Sequence, residues 1–160
     1  MVTTERLRIY PTDAAQMKAA IAAAKDAGLK KAYEETLAGC MAHPEQWDWY
    51  AMWVIELGDG RRIGDLCFKG LGRDGVAEIG YGIEEGYRGQ GYATEAVRAA
   101  LGWAFRHPAV VSIEAEAEAD NAASQRVLDK CCFQASGLTG EEGPRFSRRR
   151  LGIESMLEVV

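Results

Sequence analysis

The sequence predicts a mixed α/β domain, a central sheet with helices on both faces, and three observations predict it. Two glycine-rich turns, Gly58-Asp59-Gly60 and Gly72-Arg73-Asp74-Gly75, punctuate apolar, β-branched runs in the first half. A strand–helix–strand–helix–strand rhythm fills the second half. Between them, Ala93, Ala96, Val97, Ala100, Leu101, Ala104 and Phe105 form an i, i+3, i+4, i+7 ladder that only a helix explains. An antiparallel meander followed by alternating strands and helices implies a mixed sheet covered on both sides.

Taken in order, Leu7 and Ile9 alternate with Arg6 and Arg8 and read as a first strand that ends at Pro11. Thr12 is the expected N-cap of an Ala-rich helix from Asp13 to Ala27, closed by Gly28, and a second helix is expected from Leu29 to about Met41, before Pro44. Tyr50–Leu57 and Arg62–Lys69 make a hairpin, and Val76–Ile83 is the next strand. Pro108 ends the helix of the ladder, and 109–118 alternates as a strand. Asn121 caps a short helix striped by Ala123, Val127, Leu128 and Cys131. Phe133–Leu138 and Phe146–Ile153 are read as closing strands around a loop at Gly140–Pro144.

A length of 160 residues, 48% of them apolar, suits one folded domain. The formal charge of −5 argues against a nucleic-acid partner. Met1–Pro11 does not read as a signal peptide, and no run approaches the roughly 20 apolar residues of a membrane span, so no membrane partner and a cytoplasmic location are expected. Cys40, Cys67, Cys131 and Cys132 include no CxxC pair and read as reduced thiols. His43 and His107 stand alone, and no metal is expected.

Chemistry concentrates in Glu84–Ala93, which joins a strand to the start of the best helix. A helix start leaves N–H groups unpaired and is partly positive, and Gly89 and Gly91 let an anion approach the backbone. The segment reads equally as a phosphate cradle or as a plain glycine turn. A Rossmann fingerprint is disfavoured because its third glycine falls at Thr94, and no Walker Gly-Lys-Ser/Thr occurs.

The string Arg88-Gly89-Gln90-Gly91-Tyr92-Ala93 resembles the [R/Q]-x-x-G-x-[G/A] signature of the Gcn5-related N-acetyltransferase (GNAT) superfamily. Asn121 through Phe133 resembles that superfamily's second signature, N-x-x-S-x-x-[V/L]-x-x-K-x-G-F, and Thr4-Glu5-Arg6-Leu7-Arg8 is similar to the start of its ribosomal-protein-N-acetyltransferase branch. The resemblance covers nearly the whole chain. It implies one domain over 1–160 with a mostly antiparallel sheet of six to seven strands and a splayed parallel pair, possessing acetyl-CoA as co-substrate and an amine as acceptor; it leaves a homodimer open. It further implies that Arg88, Gly89, Gln90, Gly91, Tyr92, Ala93 and the Thr94 hydroxyl hold the cofactor's diphosphate. Ile83 would pair with the pantetheine arm, and Asn121 and Ser124 would face the cofactor from the other side, a role compatible with helix capping.

For the transfer itself, an amine must lose a proton before it attacks a thioester. Glu78 is the first candidate base, since it shares a strand face with Gly80 and Gly82; it reads alternatively as a solvated glutamate. Glu114, Glu116, Glu118 and Asp120 line one face of the next strand. Glu116 is the second candidate there, and a solvated face is the alternative. Two positions depart from the superfamily pattern. Leu128 stands where many members carry a tyrosine that protonates the departing thiolate, and Cys132 stands where a glycine is usual. Tyr81 or Tyr87 would then serve, or the thiolate would leave unaided. Trp47, Trp49, Tyr50 and Trp53 read as pocket walls or as core, with core preferred for Trp53. Arg148-Arg149-Arg150 reads as a solvated edge or a contact to the adenosine 3′-phosphate. An N-acetyltransferase, a CoA-binding sensor without chemistry and a nucleotide-dependent oxidoreductase are the three competing functions.

Overall fold

The structure is a computed structural model that describes residues 1–151. Its centre is an eight-stranded sheet in the order β1-β2-β3-β4-β5-β6-β8-β7. The strands are β1 (Val2–Thr3), β2 (Leu7–Pro11), β3 (Met52–Leu57), β4 (Arg62–Leu71), β5 (Val76–Ile83), β6 (Ser112–Glu116), β7 (Gln134–Thr139) and β8 (Pro144–Arg149). Neighbours pair antiparallel except β5 and β6. The mixed, mostly antiparallel sheet expected from sequence is therefore present. It exceeds the expected strand count through the two-residue edge strand β1, too short to leave a pattern. β8 begins two residues before the expected start, at Pro144; Gly152 and Ile153 lie outside the described residues.

Helix starts follow side-chain capping. Asp13, rather than Thr12, caps α1 (Ala14–Ala23): its carboxylate accepts from the Gln16 amide at 2.8 Å while the Gln16 side chain accepts from the Asp13 amide at 2.9 Å. Thr12 is buried, and its hydroxyl donates to the Met52 carbonyl at 2.6 Å. Asp26 then accepts from the Leu29 amide and starts α2 (Ala27–Ala42), so Gly28 lies inside a first turn instead of closing the preceding helix. A short α3 (Trp47–Tyr50) precedes β3, where the sequence suggested that the strand had already begun. The ladder becomes α4 (Tyr92–Phe105), and Asn121 caps α5 (Ala122–Lys130) through the Ser124 amide at 3.0 Å.

The main core is the face of α4 carrying Ala96, Val97, Ala100, Leu101 and Ala104, set against Leu7, Ile9, Ile55, Phe68, Ile79 and Ile113 from the sheet. Four successive buried residues, Met52–Ile55, show that β3 is covered on both faces. Trp49 and Trp53 are buried beside Phe68 and Trp103, and the Trp53 indole donates to the Asp48 carbonyl at 2.8 Å. Trp47 packs on the smaller Met17–Cys40–Ala51 cluster and donates to the Thr12 carbonyl. The three tryptophans are thus packing residues. The Arg148–Arg150 run is partly a solvated edge, with Arg149 and Arg150 exposed, but Arg148 donates to the Cys131 carbonyl, and Arg150 donates to the Phe105, His107 and Val110 carbonyls, covering the open end of α4.

A fork in the sheet positions the site. β5 and β6 pair in parallel over only three positions, Val76–Glu78 against Ser112–Glu114. Beyond Glu78, β5 continues to Ile83 against β4 alone, while β6 continues with β8. The edge of β5 from Ile79 to Ile83 therefore has no strand beside it on the β6 side.

Candidate active site

A cleft of about 500 Å³ opens at the end of this fork, between the end of β5, the β5–α4 loop and the start of α5. Nine of the ten residues expected to hold the cofactor line it: Ile83, Arg88, Gly89, Gly91, Tyr92, Ala93, Thr94, Asn121 and Ser124. Gln90 does not; its carbonyl is turned to Arg6, which donates to it at 3.0 Å. Sequence reading missed Arg126 and Lys130, whose spacing of four on α5 sets both on the face toward the cleft. Arg88, Arg126 and Lys130 are its charged lining residues, and no carboxylate is among the described residues that line it. In a chain of charge −5, that local excess of cations marks an anion's place.

The loop is built for backbone donation. Gly91 is the N-cap of α4, with φ of +83° and no side-chain cap. A left-handed conformation there suits glycine, and a Cβ would meet the Arg6 guanidinium at 3.4 Å. The first backbone bond into the helix runs from the Glu95 amide to the Gly91 carbonyl. Upstream, the Arg88 amide is used by the Glu85 carbonyl at 3.3 Å, and the Arg88 side chain donates to the Ile83 carbonyl at 2.9 Å, fastening the loop to the strand end. The amides from Gly89 to Thr94 have no protein acceptor among the described residues. A run of unpaired N–H groups at the positive end of a 14-residue helix is an anion site by its own electrostatics.

On the opposite wall, the Tyr81 hydroxyl lies 3.0 Å from the Ser124 hydroxyl. Burial raises the Tyr81 phenol above its ordinary range, and the Ser124 hydrogen bond only partly offsets this, so the O–H stays protonated and available as a donor. Leu128 is fully buried in the core and takes no part in the cleft. Tyr87 also lines the cleft, with its hydroxyl 3.4 Å from Arg61.

Glu78 and Glu116 do not line the cleft; they meet at the base of the fork. Arg145 from β8 donates to Glu78 at 2.8 Å, to Glu114 at 2.7 Å and also to Glu116, while Lys69 from β4 holds the other Glu78 oxygen. Burial alone would raise the Glu78 carboxyl, but the hydrogen bonds and charges of Lys69 and Arg145 outweigh it and hold the group below the usual carboxylate value. The Arg145 guanidinium is raised in turn, chiefly by Glu114. Part of the expected acidic row is therefore an internal ion network. Beside it, Gly80 and Gly82 leave space, with no atom within 4 Å of where a Gly82 Cβ would stand.

Comparisons with known proteins agree with this geometry. The uncharacterised N-acetyltransferase YjdG of Bacillus subtilis is 35% identical over 83 residues, 51% of this chain and 49% of that protein. The chain matches about half the length of its curated relatives. Among solved structures, the aminoglycoside acetyltransferase AAC(6')-Ib in complex with coenzyme A superposes with a TM-score of 0.70 at 18% identity, covering 95% of this chain and 98% of that one. RimL, a ribosomal alpha-N-protein acetyltransferase in complex with coenzyme A, gives 0.70 at 17% identity over 91% and 95%. These structural likenesses establish the fold. A sequence model of the GNAT acetyltransferase domain matches residues 5–134, which takes in β2 through β6, the glycine loop and all of α5, and the chain belongs to that family.

Proposed function

We propose that the chain is an acyl-CoA-dependent N-acetyltransferase of the ribosomal-protein-N-acetyltransferase-like branch, moving acetyl from acetyl-CoA to a primary amine. The observation that carries this reading is the run of acceptor-free amides from Gly89 to Thr94 in a cleft with three cations, continuous with the unpaired edge of β5. A diphosphate suits the amides, and an extended pantetheine arm suits a strand edge lacking a neighbour. Arg88, Gly89, Gln90, Gly91, Tyr92, Ala93 and Thr94 form the diphosphate loop, with the share of Gln90 confined to its backbone. Ile83 ends the pantetheine edge, and Asn121 and Ser124 close the far wall.

In the reaction, the neutral amine nitrogen forms a bond to the thioester carbonyl carbon, the carbon–sulfur bond breaks, and sulfur keeps the electron pair. A backbone N–H near Tyr81–Ile83 serves the oxyanion. Tyr81, paired with Ser124, donates a proton to the departing thiolate in place of the tyrosine missing at Leu128, and its phenolate recovers a proton from water. Glu78 and Glu116 act as fixed negative charges that favour an ammonium near the fork, and the proton leaves through water. Their ion pairs suit attraction better than proton abstraction, because a base works best with a pKa near the operating pH.

A second reading, a non-catalytic acyl-CoA sensor, draws on buried Leu128. Titration calorimetry with CoA and NADH, followed by CoA-thiol release in the presence of spermidine, an aminoglycoside and a peptide with a free N-terminus, separates the readings. Turnover with any of these amines supports the transferase. CoA binding without turnover on a broad amine panel leaves the sensor, and binding of NADH instead of CoA defeats both.

A further inference from the structure

We propose that Arg6, immediately before β2, is the positioning residue that aims the loop's amides, an inference that rests on reading the loop as a diphosphate cradle. Arg6 reaches α4 across the outside of the loop. Its Nε donates to Glu95 at 2.7 Å, its own amide donates to the same carboxylate at 3.1 Å, and a terminal guanidinium nitrogen donates to the Gln90 carbonyl at 3.0 Å. The guanidinium also lies over the Tyr92 ring, 4.2 Å from its centroid. One planar fork thus grips the residue before the N-cap, the first residue of the helix and its first-turn carboxylate.

The consequence follows from peptide geometry. In a planar trans peptide the C=O and the following N–H point in opposite directions. Holding the Gln90 carbonyl toward Arg6 therefore turns the Gly91 N–H away from it. Gly91 lines the cleft and Arg6 does not, so the amide is directed to the cleft side. Without that grip, the Gln90–Gly91 peptide is free to rotate, since a glycine with φ of +83° resists rotation less than any other residue.

Arg6 has a second effect on the same cradle. Glu95 sits in the first turn of α4, where its negative charge would oppose an incoming diphosphate. Burial alone would raise its carboxyl, but hydrogen bonds from Thr4 and Arg6 outweigh this and hold it below the usual range, so it is charged at neutral pH. Arg6 supplies the opposing charge in direct contact.

Calorimetric Kd values for CoA test this on wild type, Arg6→Met, Arg6→Lys and Arg8→Met. Arg8 is the control: it lies two residues on, within β2, pairs with Glu56 at 2.8 Å, and changes the net charge equally when replaced. Arg6→Met is expected to weaken CoA about tenfold, as loss of a charge-assisted network does, with Arg8→Met unchanged. Arg6→Lys keeps the charge but cannot span both acceptors with one fork; it is expected to weaken CoA several-fold, and it decides the matter should Arg6→Met not fold. In steady state, KM for acetyl-CoA rises while kcat at saturation stays within about twofold, a split that general loss of structure does not give. If wild type binds CoA and both Arg6 variants bind it equally well, Arg6 does not position the loop. If wild type does not bind CoA, the cradle reading itself falls.

Discussion

The β5–α4 loop and the base of the β5/β6 fork are both polar, and they are built in opposite ways. At the loop, donors outnumber acceptors: amides from Gly89 to Thr94 lack protein partners, and all these residues but Gln90 line a cleft with three cations. At the fork, Lys69 and Arg145 answer Glu78, Glu114 and Glu116, and the one guanidinium of Arg145 staples β5, β6 and β8 where two of them begin to part. A fold that leaves donors unpaired stores binding capacity there, because a ligand supplies acceptors that the protein does not. A fold that pairs every charge spends them on geometry. On the proposed reading, the glutamates that look most catalytic in the sequence act with the scaffold at the base of the fork, where Lys69 and Arg145 hold them, and the plain backbone of the glycine loop carries the recognition.

The strongest way to break this contrast is Gly91→Val. A β-branched residue at φ of +83° carries strain of about 1–3 kcal/mol, and its side chain meets the Arg6 guanidinium. CoA affinity is expected to fall roughly 30- to 100-fold as the amides lose their common direction. Calorimetry on folded variant protein checks it; an unaltered Kd would mean that the loop backbone is not the recognition element. Arg145→Met attacks the other region. It removes the cation that three carboxylates share, leaving Glu78 with Lys69 alone, and with Arg145 mostly but not wholly shielded the expected cost is about 2 kcal/mol in denaturant-measured stability, with CoA Kd changed less than threefold. A large CoA effect together with an unchanged unfolding midpoint would reverse the assignment of roles.

Glu78→Gln is expected to do less. Stability falls by about 1 kcal/mol, and kcat/KM for an amine falls by less than tenfold, against the 10²- to 10⁴-fold typical of a lost general base. The stability deficit has a defined pH dependence. The folded Glu78 carboxyl lies below its ordinary value of 4.5, so its contribution is complete above pH 4.5 and is lost as pH falls through the folded value. Wild type and variant should therefore converge in stability on acidification below 4.5 and differ by a constant amount from there to neutrality. A hundredfold loss of turnover with the acid limb of the pH profile abolished would restore Glu78 as the base.

Much of the scaffold was legible because its signals are local. Asp74-Gly75 before an alternating run gave β5 its full range, the apolar ladder gave α4, and Asn121 marked the start of α5. The loop itself, with its unpaired amides at the start of α4, was legible because glycines before a helix are a local signal too. Errors arose where two local signals competed: Asp13 and Asp26 each displaced a neighbour as cap, which split the Ala-rich stretch earlier than Gly28 suggested. What stayed hidden depends on partners far apart in the chain. Arg145 lies 67 positions from Glu78, and Arg6 lies 89 from Glu95; nothing in periodicity or spacing connects them. The same blindness hid the carbonyls that two members of the exposed Arg148–Arg150 run close, one at the end of α4 and one at the C-cap of α5.

The smallest effect tests whether a departure from the family pattern is functional or merely tolerated. Cys132, where a glycine is usual, has φ of +66°, the one positive φ at a non-glycine among the described residues. It stands just past α5 in a Schellman arrangement: the Cys132 amide donates to the Asp129 carbonyl at 3.0 Å, and the Phe133 amide donates to the Leu128 carbonyl at 3.0 Å, while Phe133 and Leu128 share the core. The turn has thus kept the glycine conformation and accepted a side chain in it. Cys132→Gly removes a strain of about 1–2 kcal/mol, partly offset by the greater freedom of glycine in the unfolded chain, for a net gain of about 0.5–1 kcal/mol. Because the thiol is exposed and lies outside the lining of the cleft, CoA Kd should not move. A stabilised protein with the same Kd places Cys132 with the fork, among residues that shape the scaffold; a weakened Kd would tie the end of α5, and Lys130 two residues before it, to the loop's side of the contrast.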